Sequence, residues 1–91
     1  MPYLLVKHGV EDFDRWKAIV DEDKAAQEEY GIKIKWVMRE IGNPNMVVFM
    51  LEVESVERAN EFMARPESVE GGKRAGVTGD PLVMFLDEVN L

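Results

Sequence analysis

Residues 32–51 read IKIKWVMREIGNPNMVVFML. In the first half Ile32, Ile34, Trp36 and Met38 alternate with Lys33, Lys35, Val37 and Arg39. That is the period-two pattern of a strand with one wet face. Gly42-Asn43-Pro44-Asn45 follows. Proline presets φ and asparagine tolerates left-handed backbone, so this segment predicts a tight hairpin. The next strand is expected to start at Met46. Met46-Val47-Val48-Phe49-Met50-Leu51 is apolar on consecutive residues, as in a strand buried on both faces.

Working outward, each side of the hairpin carries one helix and one further strand. Upstream, Tyr3 to Val10 is apolar and β-prone. Asp12 then suits an N-cap, and Asp14 favours the dipole of the first turn. One helix is predicted to about Tyr30, with Gly31 as its C′ residue. Phe13, Trp16, Ile19, Val20, Ala26 and Tyr30 share one side of it. Downstream, Ser55 caps a helix whose inner face carries Val56, Ala59 and Met63. Arg65-Pro66 ends that helix. Glu67 to Ala75 reads as a short, weak helix loosened by Gly71 and Gly72. Thr78-Gly79-Asp80-Pro81 turns the chain into a last strand, Leu82 to Val89.

The order is βαββαβ, an α+β chain. Right-handed crossovers place both helices on one face of a four-stranded antiparallel sheet. The other face is left bare, and Met46–Leu51 and Leu82–Leu86 would supply it with apolar side chains. Each large one left wet forgoes about 1.5–3 kcal/mol. A monomer would show more apolar surface than soluble monomers usually do. The expected remedy is a second copy packed sheet to sheet about a two-fold axis, a homodimer with Phe49 or its neighbours and Leu82–Leu86 at the contact.

The totals agree. Ninety-one residues make one domain, 1–91, with a thin core. The sequence has no cysteine and one histidine, so disulfides are ruled out and a His/Cys metal site is not expected. Oligomerisation remains as the stabilising device. Absence of cysteine suits a reducing cytoplasm. Met1-Pro2-Tyr3-Leu4-Leu5-Val6-Lys7 lacks the basic start and long apolar run of a secretory leader, so none is expected. No stretch approaches a membrane span. A net charge of −7 repels phosphate backbones, so no nucleic-acid partner is expected.

His8-x-Val10-x-Asp12-Phe13-x-x-Trp16-Lys17 resembles the opening of a family of small bacterial and archaeal proteins in the dimeric α/β-barrel superfamily. Asn43-Pro44-Asn45, Ala75-Gly76-Val77-x-Gly79-x-Pro81 and Phe85-Leu86 match the turns and last strand of the same family. The similarity runs over nearly the whole chain. It implies a ferredoxin-like monomer and a dimeric α/β barrel made of two sheets. Relatives in the superfamily include antibiotic-biosynthesis monooxygenases, haem-degrading monooxygenases, muconolactone isomerases and ligand-sensing domains. Fold alone does not choose among them. Members of the family often carry a histidine in the middle of the first helix, near the position of Asp23. Here such chemistry would be absent or run with a carboxylate.

The catalytic candidates are His8 and Asp23. His8 lies on the strand side of Leu4, Val6 and Val10, and imidazole suits proton transfer near neutral pH. The plainer reading is a hydrogen-bonded structural histidine. With Phe13 at zero, Asp23 falls near about 280°, inside the apolar stripe. A desolvated carboxylate needs a partner and is then a candidate base. His8 is the partner expected for it. The plainer reading leaves Asp23 at the rim of the fold. Trp16, Tyr30 and Trp36 are candidates to wall a ligand pocket between helix and sheet, although aromatics at helical spacing are more often plain core. Arg39 could hold a ligand carboxylate, although Lys33, Lys35 and Arg39 also read as a solvated strand face.

Neither Asp12/Asp14 nor Asp21-Glu22-Asp23 has the spacing of a calcium loop. The glycines form no phosphate loop, and Ser55 and Ser68 read as helix-start residues. The sequence therefore points to a small-molecule-binding protein. As an enzyme it would be free of cofactor and would oxygenate or isomerise a small apolar or aromatic compound. The alternative is a non-catalytic ligand-sensing or protein-interaction dimer. An open pocket lined by His8, Asp23 and an aromatic favours the first, and a closed core around His8 the second.

Overall fold

A computed structural model describes residues 2–91. Strand β1 spans Tyr3–Val10, helix α1 Phe13–Glu22, helix α2 Lys24–Glu29 and strand β2 Ile32–Glu40. Strand β3 spans Asn43–Val53, helix α3 Val56–Ala64, helix α4 Pro66–Arg74 and strand β4 Val77–Leu86. The four strands form one antiparallel sheet in the order β2-β3-β1-β4. This is the ferredoxin-like βαββαβ plan, with each helical crossover divided in two.

The caps form where side-chain chemistry puts them. The Asp12 carboxylate accepts from the backbone N–H groups of Asp14 and Arg15, and Ser55 Oγ accepts from that of Arg58. Gly31, at φ 71°, takes the left-handed position after Tyr30. Ser68 caps nothing: it lies inside α4, which starts with Pro66 as its first residue.

The first helix is not continuous to Tyr30. Asp23, at φ −89° and ψ 7°, closes α1 and opens α2. Its N–H bonds to the Val20 carbonyl three residues back, which tightens the last turn. The hairpin forms two residues earlier than expected. Ile41-Gly42 is the turn, Gly42 has φ 88°, and Glu40 pairs with Asn43. Pro44 then sits in an irregular stretch between the Glu40–Asn43 and Arg39–Val47 pairs, where no ladder N–H is required of it. The last strand starts at Val77 rather than Leu82 and ends at Leu86. A register shift opposite His8 absorbs Gly79-Asp80-Pro81 without a turn.

The pairings fix which side chains share a face. Leu4, Val6 and His8 stand level with Leu51, Phe49 and Val47 of β3. They face the helices and are buried or half-buried, with Val10, Val53, Ile32, Trp16, Ala59 and Ala75. Phe49 therefore belongs to the helix side and not to the bare face, because it is paired with Val6 and packed on Trp16. The bare face is built from Leu5, Val48, Met50, Leu82 and Met84 by the same alternation. Leu82 and Met84 are 48% and 42% exposed.

In β2 the alternation breaks at Lys35. Ile34 pairs with Leu51, but Trp36 pairs with Met50, so Lys35 is an extra residue. Val37 and Arg39 consequently move to the helix side, and Trp36 and Met38 to the bare face. The basic stripe is divided: Lys35 reaches Glu52 at 3.4 Å, whereas Arg39 stacks on Phe13.

Candidate functional site

Between the helix side of the sheet and the helices lies an open cavity of about 620 Å³. Its floor comes from β1 and β3, through Leu4, Val6, His8, Phe49 and Leu51. Trp16, Ile19 and Val20 of α1 form one wall, and Phe62, Met63 and α4 the other. Polar groups gather at Glu22, Asp23, Gln27, Glu67, Ser68 and Arg74. The volume lies within the ordinary range for small-molecule sites, about 300–1,000 Å³.

His8 sits deepest among the polar lining groups. It is 7% exposed, on the central strand. Its ring meets Trp16 edge-on at 5.7 Å and Phe49 at 5.6 Å, between ring centroids. Nδ1 lies 3.1 Å from the Gly9 carbonyl, which selects the tautomer that carries its proton on Nδ1. Nε2 then holds a free lone pair, and no protein group bonds to it among the described residues. Burial lowers the His8 pKa below the usual 6.5, a shift that the Gly9 carbonyl opposes only in part. The ring is therefore a neutral imidazole at pH 7, a base with its acceptor atom available in an apolar cavity.

Asp23 lines the same cavity, as its helical phase predicts. Its partner is not His8. Arg65, at the α3–α4 junction, reaches the Asp23 carboxylate at 3.4 Å. The guanidinium also donates to Ser68 Oγ and the Phe62 carbonyl, and lies 4.2 Å from the Phe62 ring centre. A second ion pair, Arg74–Glu22 at 3.1 Å, ties the other end of α4 to α1. Gln27 Nε2 donates to the Val20 carbonyl at the helix break. Arg65, read from sequence only as a helix terminator, is thus the carboxylate's cation. The residue forty-two positions away could not be paired with it by local pattern.

The other candidates divide. Trp16 is a cavity wall. Tyr30 packs outside it, edge-on to Phe62 and under Arg58 at 4.4 Å. Trp36 faces the opposite side of the sheet, carried there by the bulge at Lys35. Arg39 lies 4.5 Å over the Phe13 ring, away from the cavity. Phe49 and Gln27 were missed as lining residues. The apolar alternation with Val47 and Leu51 was the only signal for Phe49, and the two-sided character of that strand hid it. No group of three or more His, Asp or Glu is placed to hold a metal ion among the described residues. None of their helices is long and apolar enough to cross a membrane.

No family model matches the chain, and no curated protein matches it. Solved structures do. A Bordetella bronchiseptica protein provisionally named antibiotic biosynthesis monooxygenase superposes with a TM-score of 0.78 at 16% identity, covering 98% of this chain and 97% of its own. A Caulobacter crescentus protein with the same provisional name gives 0.74 at 12% identity, over 98% and 90% of the two chains. A variant of SnoaB, a cofactor-independent oxygenase from Streptomyces nogalater, gives 0.74 at 13% identity, over 99% and 94%. At these identities the likeness is one of fold. The chain has the ferredoxin-like fold of the antibiotic-biosynthesis-monooxygenase-like proteins, here as an open four-stranded sheet with its helices on one side.

Proposed function

We propose that this chain is a single-domain, small-molecule-binding protein and a cofactor-free enzyme, oxygenase-like or isomerase-like, acting on a small apolar or aromatic compound in the His8 cavity. The observation that carries the reading is the state of His8: buried, neutral, and presenting an unpartnered Nε2 to an open space walled by Trp16 and Phe49. A neutral imidazole can take a proton from a weakly acidic C–H or O–H, such as that of an enolisable compound, and the anion formed is then paired with the imidazolium. The delocalised anion that results either reprotonates elsewhere, an isomerisation, or gives its electrons to dioxygen, one oxygen atom entering the product as a carbonyl and the other leaving as water. Trp16 and Phe49 supply flat apolar surface for the ligand. Asp23, paired with Arg65, stands at the polar end of the cavity, where its carboxylate would accept from a ligand's hydroxyl.

The bare face supports a homodimer. Leu5, Val48, Met50, Trp36, Met38, Leu82 and Met84 share it, and Met38 is 57% exposed. Packing two such faces withdraws these side chains from water. The absence of cysteine suits a cytoplasmic protein.

The test offers 1,4-dihydroxynaphthalene and a cyclic β-diketone under oxygen, with oxygen uptake and deuterium exchange at the acidic carbon as readouts. Turnover that His8→Phe abolishes supports the reading. Tight binding with neither uptake nor exchange would replace it with a non-catalytic ligand sensor.

A further inference from the structure

The α4 residues that would face the cavity as the inner stripe of a helix are Ser68, Gly71, Gly72 and Ala75. They follow the spacing i, i+3, i+4, i+7 of one helix face, and all four line the cavity. That face normally carries large apolar residues that fill the space beneath it. Here the stripe carries none, and the one large apolar residue that α4 brings to the cavity, Val69, is half exposed. A Cβ built on Gly71 or on Gly72 meets no atom within 4 Å. Two glycines in the interior of a nine-residue helix weaken it relative to alanine. Nothing in the packing of α4 requires them, since no neighbour approaches where their side chains would be.

A second observation points to an occupant of the space they leave. His8, 7% exposed, lines the same cavity with Nε2 unpartnered. That nitrogen retains access to the cavity, because no fully buried side-chain polar atom lacks a hydrogen-bond partner among the described residues. A ligand that accepts the space under Gly71-Gly72 and offers a proton to Nε2 satisfies both features.

We infer that Gly71 and Gly72 determine the ligand size the cavity accepts, by leaving open the α4 side for the body of a polycyclic ligand bound through an acidic hydroxyl to His8. The inference rests on the proposed reading of the cavity as a ligand site. Side chains introduced at 71 and 72 occupy the open space and exclude large ligands while sparing small ones.

The experiment measures binding of phenol, 2-naphthol and 1-pyrenol to the wild type, to Gly71→Leu and Gly72→Leu, and to the double variant Gly71→Ala/Gly72→Ala, by calorimetry. In the leucine variants the affinity for 1-pyrenol is expected to fall by about ten-fold or more, and that for phenol by less than about two-fold. The alanine double variant, whose helix is better formed, is expected to gain several degrees in thermal midpoint while losing 1-pyrenol affinity by about three-fold. It keeps the comparison alive if a leucine variant does not fold. Equal losses for phenol and 1-pyrenol, or none for either, would overturn the inference and leave the site reading standing. A wild type that binds none of the three overturns the site reading and this inference with it.

Discussion

Asp23, at the polar end of the cavity, meets Arg65 at 3.4 Å, one at the break between α1 and α2, the other at the junction of α3 and α4. The two partners are unequal. Asp23 is partly exposed and has one cation, whereas Arg65 also holds Ser68 and the Phe62 carbonyl and stacks on Phe62. Exposed ion pairs contribute about 0–1 kcal/mol. Asp23→Asn is therefore expected to lower stability by less than about 1 kcal/mol, and Arg65→Ala by about 1–2 kcal/mol, since it also loses the hydrogen bonds to Ser68 Oγ and the Phe62 carbonyl and the stacking on Phe62. Urea titrations of the two variants give the comparison. Equal losses would show that the carboxylate, and not the packing of Arg65, holds the junction.

The titration of His8 gives a pH signature. Burial lowers its pKa in the folded protein, while the unfolded chain keeps the usual 6.5. Above that value both states are neutral and the contribution is complete. As pH falls below it, the unfolded chain takes up a proton that the folded one resists, and stability is lost until the folded pKa is reached. Between pH 7.5 and 5 the wild type should lose more stability than His8→Phe, read as the difference between their urea midpoints. Parallel pH curves would show that the ring is not desolvated.

The sheet face opposite the helices should fail as an interface when charged. Met50→Lys combined with Met84→Lys places two ammonium groups where Met50, Leu5 and Met84 stand side by side. Light scattering at micromolar concentration is expected to show a dimer for the wild type and a monomer for the double variant. A monomeric, well-behaved wild type would sink the proposed assembly.

The two tryptophans should report different events. Trp16 lines the cavity and Trp36 lies on the far side of the sheet. Saturating 2-naphthol should quench the emission that remains in Trp36→Phe by half or more and leave that of Trp16→Phe nearly unchanged. Dilution through the dimer–monomer transition should do the reverse. Quenching of Trp36 by ligand would move the site to the other face.

Much of the fold was legible because its punctuation is local. Asp12, Ser55 and Gly31 satisfy or terminate helices with groups a few residues away, so each could be read from its neighbours. The site was legible only in part. Helical phase placed Asp23 on the inner side, yet its cation comes from another helix, and no local rule finds Arg65. His8, Trp16 and Asp23 do share one cavity, whereas Trp36 does not. The reason is one residue, Lys35. A period-two pattern continued through it reads equally well on paper, since Val37 and Trp36 are both apolar and either could face inward. The Ser68-Gly71-Gly72-Ala75 stripe was visible as composition but reads as weakness until the space beneath it is seen.

The bulge at Lys35 also has a genetic corollary. Lys35 is the unpaired residue, so loss of its codon would straighten the ladder and leave Trp36 and Met38 on the helix-free face and Val37 and Arg39 toward the helices. The strand thus carries one spare residue at this point. Among proteins of this shape, a one-residue deletion at the bulge is therefore a change the second strand can absorb without exchanging the side chains of its two faces.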